Sequence, residues 1–220
     1  IYQDTLLLKE EIVDVEVWTY DEPRLYTIQE MQLNNDKKKS FKSVYNFDNE
    51  KVVQIANKDF PNAIISEHGN SEYALISNPQ PYQLSSQWTA LFSKNDLAVK
   101  NIKNGDSEIV IKGNPSLARL SPQGYYAYGY NQVDSTWYTY NLKKSKYTEL
   151  TRGKIFYNEL SDYPNYPSSY GIAGWSKNDK TIFIYDRYDI WEFDPDTGDS
   201  KRLTNGRESK TSYKLISLNN

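Results

Sequence analysis

Two segments of the chain share one alternation of hydrophobic and polar positions. The first runs from Leu120 to Gly153 and the second from Trp175 to Gly206. Each reads as a serine-containing turn, a strand, a hairpin, a strand and a closing Leu-Thr-x-Gly. Once two residues are dropped from the first turn, they align at a constant offset of 53 residues from Trp137 and Ile190 onward. A repeat of this length and content predicts a blade of a β-propeller.

The same pattern extends toward the N-terminus in weaker form. Strand-like segments ending at Ile55 and near Val110 match the ends of the strong copies, which predicts blade ends near residues 55, 110, 150 and 203. Known propeller blades are roughly 40 to 50 residues long. Residues 1–220 are therefore predicted to form an all-β, partial β-propeller of about four to five antiparallel blades, taken from a larger ring. The tail from Tyr213 to Leu218 is predicted to begin a further strand.

The N-terminal part of the chain carries two other patterns. Val13, Val15 and Val17 alternate with polar residues, which predicts a strand. Asp21 is a suitable N-cap and is followed by an early proline and by apolar residues at helical spacing. One short helix is therefore predicted near residues 22 to 38.

Composition agrees with an antiparallel β protein and excludes some partners. Aromatic residues make up 15% of the chain, with 20 tyrosines, and they alternate with polar residues as in half-buried sheets. The net charge of -3 is spread without a basic stripe, so neither nucleic acid nor an anionic membrane is a predicted partner. The absence of cysteine excludes disulfide and thiolate chemistry. The sequence shows neither a long apolar run nor a signal-peptide pattern.

The motifs of catalysis and metal binding are incomplete. A serine hydrolase needs Gly-x-Ser-x-Gly, and the nearest string, Gly174 to Asn178, lacks the second glycine. Its Ser176 occupies the blade position of Ser121 and is predicted to be a turn residue, so no catalytic residue is assigned. His68 is the single histidine of the chain and is interpreted as a bystander in a polar turn. The acidic string from Asp194 to Asp199 departs from a calcium loop and predicts a hairpin turn. No metal or cofactor is predicted.

The five tryptophans recur at strand or repeat-equivalent positions, which favours packing between blades over a sugar-binding platform. They are Trp18, Trp88, Trp137, Trp175 and Trp191.

Two loop segments are the candidate contacts for substrate or for a neighbouring domain. They are the turn with Asp186, Arg187 and Tyr188, and the Pro- and Tyr-rich loop that contains Tyr166 and Tyr170. Both are expected on one face of the ring. Arg187 then either binds a substrate carboxylate or a domain interface, or forms a surface ion pair with Asp186 or Asp189, and the sequence favours the ion pair.

Four stretches resemble the propeller of prolyl oligopeptidase family serine peptidases, in particular the dipeptidyl-aminopeptidase-like members of Bacteroidetes. The most specific is YGIAGWSKNDKTIFIYDRYDIWEFDPDTGDSKRLTNG, at Tyr170 to Gly206. The others lie in the same order as in the family, at Val13 to Leu33, Tyr73 to Trp88 and Leu120 to Leu142.

The resemblance implies a function for the whole polypeptide. In this family a downstream α/β-hydrolase domain carries the catalytic residues, and the propeller restricts access to short peptides. This chain alone is therefore expected to be inactive, with the hydrolase domain of the same polypeptide and a short peptide as its partners. The resemblance also implies a periplasmic or exported protein.

A second function remains open from the sequence. The chain is also compatible with a stand-alone TolB-like propeller that binds protein or glycan as a scaffold. The two functions differ in whether an α/β-hydrolase sequence follows. In either case an open ring exposes strand edges, so self-association through the terminal blades is expected.

Overall fold

The structure, a computed structural model, describes residues 19–67, 71–88, 94–115 and 117–216. These residues form 14 strands in four antiparallel sheets, together with two short helices. The strand predicted around Val15, together with His68 and Trp18, lies outside the described residues.

Each sheet is a simple antiparallel meander, and we name the four sheets blades 1 to 4 in chain order. Blade 1 is a two-stranded hairpin, whereas the other three blades have four strands each. The strands are β1 (Ser43–Asn46) and β2 (Lys51–Gln54) in blade 1; β3 (Asn62–Ile64), β4 (Tyr73–Asn78), β5 (Asn95–Asn101) and β6 (Ser107–Asn114) in blade 2; β7 (Arg119–Leu120), β8 (Tyr126–Asn131), β9 (Thr136–Asn141) and β10 (Lys146–Glu149) in blade 3; and β11 (Ile172–Trp175), β12 (Ile182–Tyr185), β13 (Ile190–Phe193) and β14 (Ser200–Arg202) in blade 4.

Consecutive blades pack face to face through apolar side chains. Leu75 of blade 2 lies in one core with Ala127 of blade 3, and Tyr128 of blade 3 lies in another with Ile184 of blade 4. Because side chains alternate along a strand, β8 contributes to both cores and is buried on both faces. Successive four-stranded meanders packed in this way are propeller blades. The predicted all-β partial propeller is confirmed.

The turns between the first two strands of blades 2, 3 and 4 repeat one hydrogen-bonded motif. The Oγ atoms of Ser66, Ser121 and Ser176 each accept the backbone N–H five residues later, at 3.4, 3.0 and 2.9 Å. The three serines are each 55 residues apart. Ser176 is thus a turn residue, as predicted.

The turns between the last two strands of each blade repeat a second motif. In blades 1 to 4 the Oδ1 atoms of Asn46, Asn101, Asn141 and Asp194 accept the N–H two residues later, at 2.9, 2.8, 3.1 and 2.8 Å. Such a side chain replaces part of the backbone hydrogen bonding of a turn. The hairpin predicted for the segment that begins at Asp194 is confirmed.

The boundaries of several elements differ from the predictions. The last strands of the blades end at residues 54, 114, 149 and 202. These ends lie beside three of the predicted positions. Strand β6 continues past 110 because its irregular pairing with β5 joins Asn95 to Asn114. The tail after Gly206 has no strand through residue 216, since no neighbouring strand pairs with it.

The predicted N-terminal helix is present, but it begins later than predicted and the structure contains a second helix. Helix α1 covers Tyr26–Lys37, and its N-cap is Leu25, which provides no side-chain hydrogen bond. The predicted cap at Asp21 fails because Pro23 disfavours helical geometry in the residue before it. A second helix, α2 (Gln83–Ser86), follows a short 3-10 turn and was not predicted. Neither helix, within the described part of the chain, has the length and apolar character needed to cross a bilayer.

Candidate functional site

The two ends of the propeller are built differently. The serine turns and the Asx turns are short and lie at one end, which we call the turn face. The opposite end, the loop face, includes residues 79–88, 132–135, 150–171 and 186–189. Because strands in a blade run antiparallel, alternate connections must emerge at opposite ends. The longer connections therefore gather on the loop face, where binding residues of scaffold proteins are usually found.

Bonds between blades hold the turn face together. The buried Asp179 carboxylate, in the serine turn of blade 4, accepts the N–H of Gln123 in the equivalent turn of blade 3, with the closer oxygen at 3.0 Å. Gly124 of that turn has φ +72°, and a Cβ there would lie 2.3 Å from the Ser71 side chain of blade 2. The serine turns of neighbouring blades are thus in direct contact with each other.

A closed loop dominates the loop face between blades 3 and 4. We call residues 158–168 the long loop. The Asn158 N–H donates to Ser168 O at 2.7 Å, and the Glu159 N–H donates to the Tyr170 hydroxyl at 3.0 Å. The Tyr170 hydroxyl in turn donates to Asn158 Oδ1 at 3.3 Å. The predicted site residue Tyr170 therefore closes the base of the long loop, whereas Tyr166 lies within the loop and is partly exposed.

Ionic contacts attach the long loop to blade 4, and we call them the latch. Glu159 accepts two hydrogen bonds from Arg207, at 2.8 and 3.4 Å, and lies 3.8 Å from the Arg187 guanidinium. Both guanidinium groups also stand over the Tyr188 ring, with centroid distances of 5.0 Å for Arg187 and 5.3 Å for Arg207. The hydrogen bond to Glu159 is the main cause that raises the pKa of Arg207 above its usual range.

The structure thus brings together the predicted residues Arg187 and Tyr188 and the loop that contains Tyr166 and Tyr170. The sequence interpretation of Arg187 was wrong about its ion pair, because the contact is to Glu159 and not to Asp186 or Asp189. Sequence reasoning also missed Glu159 and Arg207. They are separated by 48 residues, and no feature of the repeat marks either of them.

Asp186 orders the turn that carries Arg187 and Tyr188, and it also pairs with Arg207. Its Oδ1 accepts the N–H groups of Tyr188 and Asp189, at 2.8 and 2.6 Å, and so fixes the turn. Its Oδ2 accepts the Trp191 indole N–H at 3.1 Å and an Arg207 N–H at 3.4 Å. The Asp186 carboxylate is buried, and Arg207 compensates its charge.

Asp189 is fully buried and holds the end of blade 4. Burial raises the pKa of Asp189, but this effect is outweighed by hydrogen bonds from the Gly206 N–H, the Thr204 hydroxyl and the Arg207 N–H, and by the charge of Arg202. The net result is a lowered pKa, so Asp189 is a charged anchor and not a proton donor at neutral pH.

A cavity of about 710 Å³ opens on the loop face beside the long loop. Arg119, Tyr128 and Gln132 of blade 3 line one side, and Ser168 and Ser169 line the other. The Tyr130 hydroxyl, also in the wall, donates to Pro167 O at 3.2 Å and so binds the loop to blade 3. The volume is within the range of small-ligand sites, roughly 300–1,000 Å³.

A wider depression, of about 920 Å³, lies between α1 and the loops of blade 2. Its α1 wall buries none of its side chains, and the Arg24 guanidinium there is paired with Asp36 at 2.6 Å. A wall without buried contacts holds its position weakly. The cavity between blades 3 and 4 is therefore the better candidate site.

The aromatic prediction is confirmed at three described positions. Trp137 packs on Tyr130, Trp175 stacks on Tyr126, and Trp191 contacts Phe156. Trp88 is exposed, which corrects its assignment to packing, because it lies beyond α2 and outside every blade. Among the described residues, no group of three or more acidic or histidine side chains is placed to hold a metal ion.

No sequence profile of a known protein family matches this chain, and no curated protein matches it. It is similar to solved propeller structures at low identity. TolB from Acinetobacter baumannii is 13% identical, with TM-score 0.38, over 74% of this chain and 37% of that one. The propeller domain of the Trilobed protease from Pyrococcus furiosus is 13% identical, with TM-score 0.36, over 65% and 43%.

Acylaminoacyl peptidase from Pyrococcus horikoshii is 13% identical, with TM-score 0.40, over 68% of this chain and 26% of that one. The chain spans less than half the length of each of these three structures. Similarity at this level assigns no function to the chain.

Proposed function

We propose that this chain is the substrate-gating propeller region of a serine exopeptidase or oligopeptidase. In this proposal the Ser-His-Asp machinery belongs to an α/β-hydrolase domain of the same polypeptide. The whole protein is of the dipeptidyl-aminopeptidase-like type, acts on short peptides and is periplasmic or exported. The chain itself contributes exclusion and orientation, and no catalytic group.

The observation that carries this proposal is the latch. The latch attaches one long loop beside the cavity through two arginines and a glutamate. A gate does need such an attachment, because its loop must stay over the opening and still be released by breaking a few polar contacts. Partly exposed ion pairs are suited to this, since each contributes only about 0–1 kcal/mol.

The test uses the full polypeptide and the variant Glu159→Ala, which removes the carboxylate that both latch arginines contact and leaves Arg207 paired with Asp186. Release of the long loop should admit longer substrates, so kcat/KM for a long peptide should rise several-fold relative to kcat/KM for a tripeptide anilide. Arg152→Ala is the matched control, because Arg152 is largely exposed and pairs with Glu149 outside the latch. That variant should leave the ratio unchanged.

Two results would contradict the proposal. One is a coding sequence that continues into no α/β-hydrolase pattern with Gly-x-Ser-x-Gly, which would favour the scaffold function. The other is a substrate-length ratio that stays the same when the latch is broken. The isolated chain of residues 1–220 should hydrolyse no aminoacyl or dipeptidyl anilide, and turnover abolished by Ser176→Ala would equally overturn the assignment.

A further inference from the structure

The cavity between blades 3 and 4 holds one cationic side chain in a defined orientation. Arg119 lies on β7 and pairs across the sheet with Tyr128 on β8. Residues directly opposite each other on neighbouring strands project to the same side of the sheet. Tyr128 packs into the core between blades 3 and 4, so Arg119 projects toward blade 4 as well and reaches the cavity from its inner edge.

Arg119 is the cationic side chain in the cavity lining, and the carboxylate that acts with it on the neighbouring Tyr128 hydroxyl, that of Glu67, lies outside this lining. Within the described part of the chain, Arg119 takes part in no ion pair, whereas Arg187, Arg202 and Arg207 each do. No aspartate or glutamate lines the cavity. Its neighbour is instead the Tyr128 hydroxyl: burial raises the pKa of Tyr128, and the Arg119 guanidinium acts in the opposite direction. The cavity therefore presents a net positive charge.

The rest of the wall fits the end of a peptide. Gln132 supplies an amide, and Ser168 and Ser169 at the end of the long loop supply hydroxyls. Leu117, Ile172 and the ring of Tyr130 supply apolar surface on the other sides. A few placed polar groups in a largely apolar wall are the usual composition of a small-ligand site.

We propose that this cavity binds the terminal carboxylate of a short peptide, with Arg119 as the residue that recognises it. Arginine suits this role because its planar guanidinium forms two parallel hydrogen bonds to a carboxylate. The side chain of the terminal residue would lie against the apolar wall. The choice of a peptide as ligand rests on the proposed gating function, whereas the preference for a carboxylate rests on the cavity alone.

The test is a titration of the purified chain with the tripeptide Ala-Ala-Phe and with its C-terminal amide, followed by calorimetry. The free acid should bind about tenfold more tightly, because the amide cannot form the charge-assisted pair. Arg119→Gln should abolish this preference and Arg119→Lys should retain part of it. Arg152→Gln, at an exposed site outside the cavity, should bind both peptides as the unchanged chain does.

A second variant makes the test independent of any folding defect at β7. Leu117→Asp places a negative charge at the exposed rim, where Leu117 is 82% accessible. It should weaken binding of the acid more than binding of the amide, because the lost apolar contact affects both peptides and the added negative charge opposes the carboxylate alone. Equal affinity for acid and amide, or an acid preference that survives Arg119→Gln, would overturn the carboxylate site. Acetate binding as tightly as the peptide would show an anion site without peptide recognition and would also overturn it.

These outcomes are separable from failure of the gating function. A polypeptide without a hydrolase domain would remove the peptidase and leave the acid preference in place. Conversely, an active peptidase whose propeller does not distinguish acid from amide would retain the gate and lose the carboxylate site.

Discussion

The hairpins β1–β2 and β9–β10 begin from the same local chemistry and end in opposite environments. Asn46 and Asn141 each cap the turn, with Oδ1 accepting the N–H two residues later at 2.9 and 3.1 Å. Yet no residue of β1 or β2 is buried, whereas every residue of β9 is. The difference arises because β9 lies between two other blades, whereas the first hairpin, among the described residues, packs against blade 2 alone.

The comparison separates turn formation from core formation. A turn needs only residues that are neighbours in sequence, so it forms in both hairpins. Burial needs a second sheet, and the amount of apolar surface removed from water depends on how many blades flank the strand. Asn141 shows the contact that a neighbouring blade adds to a turn. Its amide also donates to Asp196 Oδ1 of blade 4 at 2.7 Å.

The largest expected contrast is between two phenylalanines. Phe193 in blade 4 is 0% exposed, and Phe47 in the turn of the first hairpin is 86% exposed. Phe193→Ala should lower the free energy of unfolding by about 3–5 kcal/mol, because it leaves a cavity in the core. Phe47→Ala should change it by less than about 0.5 kcal/mol.

Urea denaturation of both variants measures this contrast, with the slope m checked to be unchanged. If the two variants lose the same stability, the two hairpins are equally covered in solution and the comparison fails.

A smaller contrast is expected between the two capping asparagines. Asn141→Ala removes the cap and also the amide that donates to Asp196 of blade 4, so a loss of about 1–3 kcal/mol is expected. Asn46→Ala removes a cap alone, and the expected loss is about 0.5–1.5 kcal/mol. Thermal denaturation of both variants gives the difference. A larger loss for Asn46→Ala would show that the turn and not the blade contact determines the cost.

The smallest effect is a dependence on pH confined to blade 4. The pKa of Asp189 is lowered in the folded chain, so its charged form stabilises the fold above the ordinary aspartate value of about 3.9, and that stability is lost as pH falls through the folded value. The stability difference between the unchanged chain and Asp189→Asn should therefore shrink as pH is lowered below about 4.

Hydrogen exchange of individual residues locates the acid effect. Protection of the Gly206 amide, which donates to Asp189, should fall at low pH before protection of β8 falls. A difference between the two chains that grows on acidification would contradict the assigned direction of the pKa.

Much of the architecture was accessible from sequence because it depends on local periodicity. The fold class followed from alternating strands and repeated turn residues, and the turn assignment of Ser176 followed from its match to Ser121. The predicted start of α1 was wrong, and the reason is also local, because Pro23 outweighs Asp21 as a boundary signal. The strand predicted from Tyr213 is absent through residue 216 for a nonlocal reason, because a strand exists only where another pairs with it.

The same distinction between local and nonlocal causes applies to the candidate site. The positions of the predicted site residues in connections followed from sequence. Arg187 and Tyr188 fall in the hairpin turn of the second repeat copy, and the loop with Tyr166 and Tyr170 lies between the two copies. The contacts of Glu159 with Arg187 and Arg207, and the position of Arg119 in the cavity lining, depend on the packing of separate blades. Turn chemistry acts over two to five residues, whereas an ion pair depends on charges brought together by the packing of separate blades, so repeat spacing carries no record of which charges meet.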